Sequence, residues 1–230
     1  MNRRSLIKTA ASFATGAVLA GTISKKTLAS GARKSKMDAL TVLRNRRSVR
    51  SFKSDAIPEE HLKEIIDIAR LAPTAGNQQP WKFLIVKNKK SIQEFKESHL
   101  KNAIEGIKSR KPDITPEKFE KRITRYKEYL EGLFSAPVFV VVLTDNDSRN
   151  SSYNEHDGPL AALNLMLAAR VFGYGTVYAT DAINRDITRK FFNIPDKFTI
   201  VCTTPIGVPQ EWPDMPKKKE LSEFIINEKF

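Results

Sequence analysis

The sequence predicts an α+β protein with a central mixed sheet flanked by helices. Three observations predict it. Helical patterns and short β-rich runs are mixed along the chain without regular βαβ repetition. One helix, in DGPLAALNLMLAARVFGYG, is apolar nearly all round and so belongs at the centre of the molecule. The run APVFVVVLTD is continuously apolar, which suits a strand covered on both faces. No GxGxxG follows a strand, so a dinucleotide fold of that type lacks support.

MDALTVLRNR places Met37, Leu40 and Leu43 on one stripe of a short helix. A second helix starts at Pro58, with Glu59 and Glu60 near the positive end of its dipole. Its buried face is Leu62, Ile65, Ile66 and Ala69, and Pro73 stops it. PTAGNQQP is a loop, WKFLIVKN a strand, and SIQEFKESHL begins another helical region. SRKPDITPEKF, with two prolines, reads as a surface excursion. EKFEKRITRYKEYLEGLF is amphipathic, with Phe119, Ile123, Tyr126, Leu130 and Leu133 on one face. Val138 to Leu143 form the covered strand, and the central helix ends at Gly173. GTVYATD is a short strand and loop, and Asn184 caps a further helix. FTIVCTTPIGVP is a strand, and the tail ends in a strand-like segment, LSEFII.

The chain has 230 residues, 28 % of them charged and 40 % hydrophobic, which describes a soluble globular protein. Its net charge of +13 raises the possibility of a nucleic-acid partner. The distribution argues against one. Residues 1–36 hold eight cations and no acid, and subtracting these eight leaves +5 for residues 37–230. The single cysteine, Cys202, excludes a disulfide within the chain and any multi-cysteine metal site. His61, His99 and His156 are scattered without ligand spacing, so no metal site is expected.

RRS occurs at 3–5 and again at 46–48. The first copy precedes an uncharged run, Thr9 to Ile23, followed by small residues around Ala29 and Ala32. That is the layout of a signal peptide, too short and too Gly/Ala-rich for a membrane-spanning helix. RRSLIK resembles the twin-arginine export motif. Residues 1–36 are therefore expected to be a signal or tail segment and residues 37–230 the folded domain. The twin-arginine translocase would be a transient partner and the destination periplasmic or otherwise exported. Without a working signal the protein would be cytoplasmic.

The second copy crowds Arg44, Arg46, Arg47 and Arg50 into seven residues around Ser48. Arginine forks and a hydroxyl suit a phosphate, and in an extended segment Ser48 and Arg50 would point the same way. A solvated basic helix end explains the same cluster. Further on, Asn77, Gln78 and Gln79 are adjacent amides between Gly76 and Pro80. Amides both donate and accept, so they can read a heteroaromatic edge or a polyol chain. Trp81 opens the following strand, either as a core residue or against a planar ligand.

RRSVRSF, APTAGNQQPWKFLIV, DGPLAALNLMLAARVFGYGT and NIPDKFTIVCTTPIGVP, in that order, resemble the nitroreductase family of FMN flavoproteins. The resemblance covers about residues 37–227. It implies a nitroreductase-like fold and a homodimer with FMN at the subunit interface, the C-terminal extension packing on the partner subunit. It implies an enzyme that takes electrons from NAD(P)H and reduces nitroaromatics, quinones or related acceptors by a ping-pong scheme. Arg46, Arg47, Ser48 and Arg50 match the motif that holds the FMN phosphate and ribityl chain. Asn77 matches the asparagine at the flavin ring, and Gln79 shares its loop. Lys218, in Lys217-Lys218-Lys219, best matches a basic residue that reaches the phosphate. The chemistry would lie at flavin N5, with no catalytic side chain. Tyr178 to Ala182 departs from the glycine-containing loop common in the family. A flavin-binding carrier or flavin-modifying protein is the alternative, and a basic nucleic-acid-binding domain a weaker one. If the enzyme is exported, its electron donor need not be NAD(P)H.

Overall fold

The computed structural model describes residues 37–180 and 183–229. The first RRS and the expected domain boundary at residue 36 lie outside these residues, as do Asp181 and Ala182 of the departing loop. Helix α1 spans Ala39–Asn45 and α2 spans Glu59–Ala69. Strand β1 is Trp81–Val86, followed by α3 at Lys89–Arg110 and α4 at Pro116–Leu133. Strand β2 is Val138–Asp145, α5 is Asn154–Val171, β3 is Gly175–Thr176, α6 is Arg185–Phe191 and β4 is Phe198–Gly207.

The sheet has the order β1-β2-β4-β3, and all three pairings are antiparallel. Its expected mixed character is reduced to one parallel bridge, Ser48 to Thr176, beside the edge strand. Strand β2 alternates as a doubly covered strand must. Val138, Val140 and Val142 pack toward α2 and α5, with Leu62, Ala69 and Leu165. Phe139 packs the other way, with Phe95, Leu130 and Leu133 of α3 and α4. Burial on both faces is why this run carries no polar alternation.

Helix α5 packs on the sheet without room for a side chain at Gly158. A Cβ there would lie 2.5 Å from Val201 Cγ2 and 2.9 Å from Thr144 Cγ2. Val201 sits where the β2–β4 register shifts, opposite the step from Val142 to Leu143. The helix ends at Gly173, whose φ of 83° is the left-handed conformation a C-cap glycine supplies. Asn184 caps α6 as expected, its side chain accepting from Asp186 N and Ile187 N. Cys202 is buried, and burial pushes its thiol up to about 12.

Three local expectations change. The excursion shrinks to residues 111–115, because α3 runs to Arg110 and α4 starts at Pro116, a favourable helix-start position. The tail forms no strand; Leu221–Glu223 is a 3-10 turn, and a strand needs a neighbour to pair with. The α1 stripe faces outward: Leu40 and Leu43 are 60 % and 59 % exposed, while Val42 turns into the core.

His99 on α3 is 1 % exposed, ringed by Phe95 and Phe134. Its Nε2 accepts from Asn184 N at 3.1 Å, so Nδ1 carries the proton and donates to Phe95 O at 2.9 Å. Burial holds the imidazole below its ordinary pKa, against the two backbone hydrogen bonds. The unfolded chain therefore takes up this proton first, and folding stability falls as pH drops below about 6.5. Urea unfolding at a series of pH values from 7.5 down to 5.5 should show this decline. His99→Gln should flatten it; an unchanged slope in that variant would reject the assignment.

Candidate functional site

The chain leaves α1 in extended backbone and runs beside β3. Val49 N donates to Thr176 O at 2.9 Å, Phe52 N to Ser135 Oγ at 2.9 Å, and Lys53 N to Val208 O at 2.8 Å. Gly132 on α4 lets this segment lie close, since a Cβ there would meet Arg50 O at 2.7 Å. Alternation then sorts the side chains. Val49 is buried and Arg47 shares its face; Arg46, Ser48 and Arg50 take the other.

Arg47 is committed within the fold. Its Nη1 donates to Arg44 O at 2.7 Å and Arg46 O at 2.9 Å, satisfying carbonyls at the end of α1. Nη1 of Arg47 is thereby used within the chain, while its Nε is left without a partner. The side chains of Arg46 and Ser48 make no hydrogen bond or ion pair among the described residues, and Arg50 reaches only Ser48 O, at 3.2 Å. Among the described residues no carboxylate forms an ion pair with them. Two forks and a hydroxyl on one face have the chemistry to hold an anion such as a phosphate ester.

The amide loop divides in the same way. Gln78 points inward: its Nε2 donates to Asp157 Oδ2 at 2.7 Å and Asn150 O at 3.1 Å, and its Oε1 accepts from Asn150 N at 2.8 Å. Asp157, buried in the first turn of α5, also accepts from Ala75 N at 3.2 Å. Asn77 and Gln79 remain exposed: Gln79 Nε2 donates to Asn77 Oδ1 at 3.1 Å, Gln79 N to Thr74 Oγ1 at 3.3 Å and Asn77 N to Thr74 O at 3.1 Å. Both have positive φ, 54° and 50°, after Gly76 at 54°. Left-handed backbone at non-glycine residues costs about 1 kcal/mol each and collects at functional sites. The structure presents these two amides together. Trp81 is in the core, 7 % exposed.

The two clusters lie at opposite ends of α5. The amide loop is bonded to its first turn, whereas Thr176, which bridges Ser48, follows its last. Eighteen residues of helix rise about 27 Å. One chain therefore does not close both clusters on one small ligand. Lys218 is tied to neither cluster; residues 210–229 are exposed throughout.

Arg170 and Trp212 escaped the sequence reading. Trp212 lies over the Arg170 guanidinium at 3.6 Å, and burial, with the charge of Arg47, lowers the Arg170 pKa. The Nε atoms of Arg47 and Arg170 are buried without a hydrogen-bond partner. The stacked pair pins the start of the C-terminal segment beside the arginine cluster. The only sequence signal would have been a lone tryptophan after the last strand.

Residues 43–208 match the sequence model of the nitroreductase family. An iodotyrosine deiodinase from Thermotoga neapolitana is 31 % identical over 186 residues, covering 80 % of this chain and 92 % of that one. A protein from Methanothermobacter thermautotrophicus, provisionally named an NADH dehydrogenase/NAD(P)H nitroreductase, is 27 % identical over 183 residues, covering 78 % and 81 %. The solved structure of an oxidized iodotyrosine deiodinase bound to FMN and 3-iodo-L-tyrosine superposes with a TM-score of 0.62 at 24 % identity, covering 82 % of this chain and 97 % of that one.

Gln78→Ala should leave Asp157 and Asn150 N under-bonded and cost about 1–3 kcal/mol in folding stability. Denaturant unfolding measures the loss. Limited proteolysis should then cut within residues 74–80; a variant as stable and as resistant as the parent would show that Gln78 does not hold the loop.

Proposed function

The chain belongs to the nitroreductase family, and from that membership we propose that it binds FMN and passes electrons from NAD(P)H to a small aromatic acceptor such as a nitroaromatic or a quinone. The observation that carries this reading is the uncommitted face of Arg46, Ser48 and Arg50 together with the exposed pair Asn77 and Gln79. The first fits a phosphate and the second the hydrogen-bonding edge of a heteroaromatic ring. Bound FMN would supply hydride exchange at N5, while Arg46, Ser48 and Arg50 would hold its phosphate and Asn77 and Gln79 would orient its ring. Arg47 braces α1 through Nη1, and its remaining donors would join Arg46, Ser48 and Arg50 at the phosphate.

The separation of the clusters along α5 supports a homodimer in which the arginine face of one chain meets the amide loop of the other. Exposed apolar side chains suit that contact: Leu40 and Leu43 on α1, and Leu160 and Leu163 on α5, an otherwise buried helix. The exposed tail, which begins at the Arg170–Trp212 stack, would reach across, and Lys218 would join the phosphate group there.

The Thermotoga relative favours a second acceptor class, halogenated phenols, reduced with loss of halide. The purified protein should be yellow, contain FMN, sediment as two chains, and bleach when titrated anaerobically with NADH or NADPH. Steady-state turnover with a nitrobenzoate, a benzoquinone and an iodophenol then ranks the acceptors. Protein that neither carries nor takes up FMN would overturn the reading. Arg46→Ala should weaken FMN by about 1.5–3 kcal/mol, the scale of a hydrogen bond to a charged group. It should also narrow the preference for FMN over riboflavin, and Arg47→Ala should narrow it too, with an added loss of stability from the freed α1 carbonyls.

The RRSLIK stretch at residues 3–8 supports export by the twin-arginine route, which carries folded proteins with cofactor inside. Changing Arg3 and Arg4 together to Lys should retain flavin-loaded protein in the cytoplasm. Cell fractionation checks this, and uncleaved parent protein found only in the cytoplasm would refute it.

A further inference from the structure

Helices α3 and α4 pack side by side and are joined by residues 111–115. Two adjoining cavities of about 680 and 400 Å³ open along this pair. They share Arg110, Arg122 and Arg125, so they form one cleft. The end toward the turn adds Lys111, Lys118 and Lys121, with Asp113 as its one carboxylate. The other end is apolar and aromatic, lined by Ile107, Tyr126 and Tyr129.

This charge arrangement works against the fold. Lys118 and Arg122, and Lys121 and Arg125, are like-charged at i,i+4 spacing on α4, which destabilises a helix. None of the six cations makes an ion pair among the described residues. The helix has acids that could have balanced them, but Glu117, Glu120 and Glu128 do not line the cleft. Arg110 donates its Nε to Gly106 O at 3.0 Å, which fixes the stem and leaves the terminal nitrogens for another acceptor. Six unpaired cations around a concave space are relieved by a multivalent anion. The aromatic end asks for a flat apolar group on the same molecule. The size of the cleft suits one small molecule.

We propose that this cleft binds a nucleotide, its base against Tyr126 and Tyr129 and two or more phosphates across the shared arginines and the outer lysines. The site uses no residue of the arginine or amide clusters, so it stands or falls separately from the flavin reading.

The test uses the full chain, loaded with FMN and freed of excess. Calorimetric titrations with ADP, adenosine and inorganic pyrophosphate separate the contributions of base and phosphates. ADP should bind more tightly than either fragment by about tenfold or more, and more weakly as salt rises. Arg122→Glu should weaken ADP by about tenfold, with melting temperature and flavin content unchanged. Should that variant fold poorly, Lys121→Glu is read in its place. Pyrophosphate binding as tightly as ADP would reduce the cleft to a bare charge attraction and overturn the proposal. So would ADP binding that ignores both substitutions, or a single-stranded RNA that binds more tightly than ADP and displaces it. Flavin content and the anaerobic NADH titration report on the flavin reading independently of every one of these results.

Discussion

Close packing of α5 on the sheet is the constraint from which the rest follows. The helix reaches the strands because Gly158 presents no Cβ to Val201. Its first turn carries Asp157 inward, where a buried carboxylate must be met by donors; Gln78 and the Ala75 amide meet it. That bond fixes the loop and turns Asn77 and Gln79 out. The last turn delivers the chain to β3, and Thr176 of β3 fixes the register of the Ser48 segment. One rigid rod thus positions two polar surfaces that it does not itself line.

Much of this frame was legible in the sequence because it depends on periodicity. The strand Val138–Asp145 has no polar alternation because both of its faces are covered; α5 is apolar nearly all round as well, although Leu160 and Leu163 are exposed in the single chain. Capping by Asn184 and termination at Gly173 follow from local chemistry that needs no partner. Membership of the family was legible from motif order and is shown by the match over residues 43–208.

What could not be read is which member of a polar cluster faces which way. Arg46 and Arg47 are chemically identical, and only the bridge from Ser48 to Thr176 decides that Arg47 turns back onto α1. Among three adjacent amides, only the position of Asp157 selects Gln78 as the inward one. The α1 stripe and the tail fail for a related reason. Leu40, Leu43 and LSEFII carry patterns of buried structure, yet a single chain offers nothing to cover them.

The state of Cys202 has a chemical consequence. Quinones and partly reduced nitroaromatics are electrophiles that add to thiolates, the nucleophilic form of cysteine. The only sulfhydryl of this chain is enclosed in β4 and held protonated, its pKa pushed up to about 12. The folded chain therefore offers such an electrophile no thiolate at Cys202.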